Sequence, residues 1–273
     1  MDNIQLAQRA RIGVLIPATN TGVEYDLSNI PLNGVTWHPS RFWVALPNWS
    51  ADGRDKGDGV DSAFERFLEG IRPELPLSIR NAMAADIHHL MLGMSAETFW
   101  GGEQGNIEFE NRILEQMNEY RQIDPEGEMA YDRDIGLTTG AGAIVDALRA
   151  FGVKKVGVID PYPPIGDKNV ELFFNEMGFE VNKVKGLARA NAWEIARTPI
   201  SDVLEAVQMV DGDDVDAIVQ AGTNLSTQDL FPTLEHSLGK PCLSINTVCA
   251  WHALRACGVN DKIVGRGRIL EEF

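Results

Sequence analysis

Three stretches of this chain occur twice, in the same order. Arg11-Ile-Gly-Val-Leu-Ile-Pro17 recurs as Lys155-Val-Gly-Val-Ile-Asp-Pro161. Ile87-His-His-Leu-Met-Leu-Gly-Met-Ser95 has the shape of Asp216-Ala-Ile-Val-Gln-Ala-Gly-Thr-Asn224: an apolar run, a glycine, then polar residues. Ala147-Leu-Arg-Ala-Phe-Gly-Val153 recurs as Ala253-Leu-Arg-Ala-Cys-Gly-Val259. Matched segments in compatible order imply an internal duplication. A period this long is that of a whole domain, not of a solenoid repeat.

The duplicated runs at residues 11–17, 87–92, 155–160 and 217–221 are short and mostly apolar, as buried parallel strands are. Helix-forming segments alternate with them. The fold class that follows is α/β, with two similar Rossmann-like parallel-sheet halves related by pseudo-twofold symmetry. Residues near 11–135 and 154–245 are expected to superpose, with helices crossing between them near 141–151 and 248–257. The expected division is an N-terminal half over 1–140, completed by the C-terminal helix 247–273, and a C-terminal half over 141–246. The equivalent strand ends at Gly93 and Gly222 then face each other across a cleft, a preferred place for small-molecule sites.

The chemistry of those strand ends suits a small anion. At Gly222 the backbone can approach a ligand closely, and Thr223 and Asn224 bring hydroxyl and amide groups. A helix is expected to follow from Thr227 to Leu238. The carboxyl end of a strand that opens into a helix is where open α/β sheets bind anions. Alone, the stretch reads as an ordinary βα turn. Its repetition at Gly93, Met94 and Ser95 makes it a candidate site.

Composition narrows the partners. The net charge of −16 disfavours nucleic acid or an anionic membrane as partner. A local nest of donors can still hold an anionic substrate. No apolar run approaches the length of a membrane span. The polar stretch Met1–Arg11 lacks a signal-peptide core, so a cytoplasmic location is expected. The cysteines Cys242, Cys249 and Cys257 show no metal spacing and read as core residues. With no complete GxGxxG after a strand either, no metal and no cofactor is expected. Thr36–Leu46 reads as a strand, and Ser50–Val60 as a loop long enough for a lid or an interface. Ile107–Tyr120 reads as a helix and Arg121–Arg133 as a loop.

Several motifs together resemble the aspartate/glutamate racemase superfamily, in its maleate cis-trans isomerase and arylmalonate decarboxylase branch. Ile16-Pro-Ala-Thr-Asn-Thr-Gly-Val-Glu24 is similar to that branch's opening Pro-Ser-Ser-Asn-Thr signature. Val156-Gly-Val-Ile-Asp-Pro-Tyr162 looks like its Thr-Pro-Tyr element, and Leu187-Ala-Arg-Ala-Asn191 with Ile195 resembles its Asp-Asn-x-x-Ile loop. The resemblance spans roughly Arg11 to Val259. It implies a cofactor-independent enzyme acting on a small carboxylate or dicarboxylate through an enolate-like intermediate, and a homo-oligomer. It also implies roles: Asn20, Tyr162 and Asn191 would hold a substrate carboxylate. Met94, Ser95, Thr223 and Asn224, next to Gly93 and Gly222, would offer donors to it or to the enediolate.

The departure from the family lies at Gly93 and Gly222, where many members carry a cysteine. Two-thiol racemisation and thiol-addition isomerisation are therefore not expected. Glu97, just past Gly93, and Asp160, before Pro161-Tyr162, are the candidates for the missing acid or base. Each also has a structural alternative, Glu97 as a helix-start carboxylate and Asp160 as a turn cap. His88, His89, His252 and Tyr25 read as structural, and Ser95 and Thr223 lack a partner base for a triad. Two alternatives stay open. One is hydrolysis of a cyclic or amide substrate by carboxylate-activated water. The other is a non-catalytic small-carboxylate binding protein.

Overall fold

A computed structural model describes residues 6–45, 48–50, 56–123 and 134–273. Among these residues the strands form two four-stranded sheets. The first contains Ala10–Pro17 (β1), Val35–Phe42 (β2), His89–Leu92 (β3) and Gly136–Thr138 (β4). The second contains Lys155–Asp160 (β5), Glu180–Gly186 (β6), Ala217–Gln220 (β7) and Cys242–Ser244 (β8). Their orders are β2-β1-β3-β4 and β6-β5-β7-β8, and every ladder is parallel. The second order is the first with each strand advanced by four. The two halves thus share one topology, and the repeated stretches lie on equivalent elements: β1 with β5, β3 with β7, and the helices after β4 and β8.

The strands follow from their composition. β3 and β7 are buried at every residue, as strands with both faces covered must be. The helix Leu75–Met83 packs on β1 and β2, and the helix Ile200–Val210 on β5 and β6. The helix Gly59–Ile71 turns Ala63, Phe64, Leu68 and Ile71 inward, at the spacing of one helical face. The closing helix, Ile245–Ala256, starts directly after β8. It packs against β3, β4 and the helix Gly140–Ala150, and the last short helix, Arg268–Glu272, packs on it in turn.

Some boundaries differ from the sequence reading. The helix expected over 107–120 runs over Gly102–Ile123, and residues 124–133 of the expected loop lie outside the described residues. The helix expected from Thr227 begins at Phe231, with Pro232 in its first turn, where a missing N–H costs nothing. β2 stops at Phe42; residue 46 of the expected strand and 51–55 of the expected loop are not among those described. No helix of the described residues is long and apolar enough to cross a membrane.

The repeated glycine of β1 and β5 has a steric reason. A Cβ at Gly157 would lie 2.4 Å from the carbonyl oxygen of Val210. The atoms nearest to a Cβ at Gly13 belong to the side chains of Ile87 and Leu90, the closest at 2.8 Å. Backbone cannot yield as a methyl tip can. Gly157→Ala is therefore expected to destabilise by about 1–3 kcal/mol, and Gly13→Ala by less. Urea unfolding of the two variants measures the order.

Candidate active site between the two sheets

β1 ends at Pro17, and the turn after it carries Asn20 to the carboxyl edge of the first sheet. Asn20 Oδ1 accepts from the N–H groups of Gly22 (2.9 Å) and Val23 (3.1 Å), which pins the entry to the helix Gly22–Ser28. Its Nδ2 donates across the interface to Thr223 Oγ1 at 3.1 Å. In return, Asn224 Oδ1 accepts from Thr21 N (2.9 Å) and Gly22 N (3.2 Å). Asn224 Nδ2 donates to the carbonyl of Ala192 at 2.8 Å.

A second set of bonds crosses the other way. Ser95 Oγ lies 2.7 Å from Tyr162 OH, and Tyr162 donates to the carbonyl of Ala221 at 2.9 Å. With the phenol proton so committed, Ser95 is the donor to Tyr162. Ser95 Oγ also accepts from Thr223 N at 3.2 Å, which joins the two strand ends directly. Asn20, Ser95, Tyr162, Thr223 and Asn224 are all buried. Burial raises the Tyr162 pKa well above the ordinary phenol value, and the Ser95 bond opposes it.

These groups form the polar side of a cavity of about 70 Å³. That is room for a handful of water-sized groups. Trp49, Phe64, Phe67, Ile71, Met94 and Ile195 supply its apolar wall. Trp49 packs edge-on to Phe64 with ring centroids 5.3 Å apart, and its Nε1 donates to the Arg189 carbonyl at 2.6 Å. Among the described residues, Glu97 is the only carboxyl at the cavity wall, and no Lys, Arg or His lines it. Glu97 is buried and accepts from Arg72, Nε to Oε1 at 2.9 Å and Nη2 to Oε2 at 3.3 Å. Burial pushes its pKa up, and Arg72 opposes the rise.

Two residues named from the sequence stand elsewhere. Asp160 does not line the cavity. Its Oδ1 accepts from Tyr162 N at 2.8 Å, shaping the Pro161-Tyr162 turn. Burial first, then the charge of Asp167, drive its pKa well up. Asn191 Oδ1 accepts from Trp193 N and Glu194 N, both at 3.0 Å, and so caps the helix Ala192–Ala196. It is the neighbours Ala192 and Ile195 that reach the cavity.

The strand-end glycines are tightly enclosed. A Cβ at Gly222 would lie 2.4 Å from Pro161 Cδ, and one at Gly93 would lie 2.9 Å from the carbonyl oxygen of Leu15. Neither place admits a side chain without a shift of its surroundings. Gly222 lines the cavity, while Gly93 stands one residue behind the lining Met94. None of the three cysteines lines it. Burial raises their thiol pKa values, to about 12 for Cys249 and about 11 for Cys257, with Cys242 also well up.

Sequence reasoning missed the support behind the site. Asn246, in the first turn of the closing helix, donates from Nδ2 to Thr223 O (2.8 Å) and to Asp26 Oδ2 (2.7 Å). Asp26 is fully buried and also accepts from Ser226 Oγ at 2.5 Å. No local motif marks these residues; they are 220 positions apart. The apolar wall was equally hidden, because Phe64 and Phe67 stand on a helix far in sequence from the strand ends they face.

Burial raises the Asp26 pKa from 3.8 to about 6, against the two hydrogen bonds. The folded chain then binds more protons here than the unfolded chain between those values. This contribution to stability is present below about pH 4 and lost as pH rises through about pH 6. Asp26→Asn removes it. Between about pH 4 and pH 7 the variant should lose less unfolding free energy than wild type, by on the order of 3 kcal/mol. Denaturant titrations across that range measure the difference.

Comparison with known proteins agrees with this architecture. Residues 120–270 match the family model for arylmalonate decarboxylase. The maleate isomerase of Alcaligenes faecalis is 29% identical over 269 residues, covering 95% of this chain and 96% of that one. The maleate isomerase of Nocardia farcinica is 26% identical over 268 residues, covering 96% of both. A mutant of the Nocardia farcinica enzyme with a covalently bound succinylcysteine intermediate superposes with a TM-score of 0.80 at 22% identity, over 97% of this chain and 99% of that chain. A liganded arylmalonate decarboxylase mutant superposes with a TM-score of 0.72 at 18% identity, over 97% of this chain and 100% of that chain. With the model match spanning more than half its length, the chain belongs to the arylmalonate decarboxylase family.

Proposed function

We propose that this protein is a cofactor-independent enzyme that acts on a small carboxylate through an enolate-like intermediate. The observation behind this reading is the crossed set of hydroxyls and amides at one side of a small, otherwise apolar cavity. Preorganised donors in a water-poor site stabilise charge that develops during reaction. Asn20 and Thr223, with Met94 and Asn224 beside them, would seat the substrate carboxylate and the enolate formed from it, and Ser95 and Tyr162 would join them by turning their hydroxyl protons from each other and from the Ala221 carbonyl to the anion. Asn20 Nδ2 has a second hydrogen besides the one given to Thr223.

Decarboxylation is the outcome this cavity favours. A second carboxylate placed against Trp49, Phe64 and Ile195 would lose its hydration and meet no cationic side chain. Loss of CO2 removes that charge and leaves the electron pair delocalised into the remaining carboxylate. The carbanion then needs a proton. Glu97 is the carboxyl at the cavity wall, and burial keeps its acid form available. Asp160 takes a positioning part here, through the turn that carries Tyr162. The related Nocardia farcinica mutant carries a covalently bound succinylcysteine intermediate; here the enclosed glycines and raised thiol pKa values speak for a proton carrier other than cysteine.

A panel of substituted malonates, together with maleate, tests this in heavy water. Release of CO2 with one deuterium gained in the product is the expected result, unaffected by thiol alkylation that leaves the fold intact. Glu97→Gln should lower kcat by about a hundredfold or more, and Ser95→Ala by about a hundredfold. Binding without turnover across the panel would instead favour a carboxylate-binding protein.

A further inference from the structure

Glu97 is the wall shared by two cavities. On one side is the small substrate cavity with Ser95 and Tyr162. On the other is a larger one of about 270 Å³, bordered by Arg72, Gln104, Glu108 and Arg112. That volume holds many waters, and the charged groups around it give them partners. The ion pair spans the boundary: the Glu97 side chain is 1% exposed and the Arg72 side chain 38%. The nearly dry carboxyl borders the outer cavity beside its fork to Arg72. Arg72 opens the short turn Arg72–Glu74, directly after the helix whose Phe64, Phe67 and Ile71 line the substrate cavity.

We propose that Glu97 relays protons from the outer cavity to the substrate cavity, and that Arg72 is the positioning residue that controls the relay. The proposal rests on the reading of the site as a carbon-acid enzyme. In each turnover the Glu97 O–H bond breaks, and the enolate's electron pair forms the new C–H bond. The carboxylate left behind pairs with Arg72, then takes a proton from water in the outer cavity, which bulk solvent replaces. One CO2 leaves and one proton enters per cycle, so atoms and charge balance.

The groups facing Glu97 set the direction of control. Arg72 and Glu69 approach from one side, Arg112 and Glu108 from the helix Gly102–Ile123, and Tyr162 from the second half. Burial and Glu69 favour the protonated acid; Arg72, then Arg112, favour the ionised form. Loss of the Arg72 charge should hold the proton on Glu97 to higher pH.

The test uses the full chain and its Arg72→Gln and Arg72→Lys variants. The Glu97 carboxyl is followed by infrared titration without ligand, assigned as the band missing from Glu97→Gln. In Arg72→Gln the protonated band should persist to higher pH than in wild type, and Arg72→Lys should return it toward wild type. The alkaline fall of kcat should move the same way, with KM little changed. A folded Arg72→Gln protein with an unmoved band would overturn the proposal. Should Arg72→Gln not fold, Gln104→Trp narrows the outer cavity with both ion-pair partners in place. A lower kcat at constant KM is then expected, and an unchanged kcat counts against the relay. The infrared readout needs no substrate. A shifted band with no turnover of any carboxylate would therefore count against the enzymatic reading, while turnover with an unshifted band would overturn the proposal and leave the enzymatic reading standing.

Discussion

The two halves meet through hydrogen bonds that cross between equivalent positions. The end of β3 gives Ser95 to Tyr162, which follows β5; the end of β7 gives Thr223 to Asn20, which follows β1. The backbone of Thr223 then closes on Ser95. Each bond contributes only about 0.5–1.5 kcal/mol net, but all are buried, so an unmade one would leave a stranded polar group. This requirement fixes how the sheets face each other. It also gathers the chain's hydroxyls and amides around one small space. Asp26 and Asn246 extend the same logic outward, since they hold the Thr223 carbonyl from behind.

Against that frame, glycine at positions 93 and 222 is a packing condition as well as a missing thiol. Pro161 presses on Gly222, and the carbonyl of Leu15 on Gly93. Gly222→Cys would thus need the Pro161-Tyr162 turn to move, and Tyr162 is part of the crossed set. The carboxyl proposed as the acid stands in the next turn, where Glu97 has an apolar cavity on one side and Arg72 on the other.

The fold was legible because its signals are local and repeated. Buried parallel strands write themselves as apolar runs, and duplication wrote each one twice. The polar rim at Ser95, Thr223 and Asn224 was legible for the same reason, being two copies of one strand end. Side-chain direction was not. Asn191 and Asp160 sit in family-like motifs, yet backbone N–H groups claim one and a buried turn the other. Which of several polar atoms a turn consumes depends on backbone geometry that residue identity does not carry. Arg72 stands 25 positions from Glu97, and Asp26 and Asn246 lie near opposite ends of the chain. Such pairs exist only once the chain has folded.

A crystal structure with a bound, unreactive small carboxylate tests the central claim most directly. The account predicts the carboxylate oxygens against Asn20, Ser95, Tyr162 and Thr223, with the rest of the ligand against Trp49 and Phe64 and its α-carbon facing Glu97. A carboxylate found instead against Arg72 or Arg112, with the inner cavity empty, would contradict it.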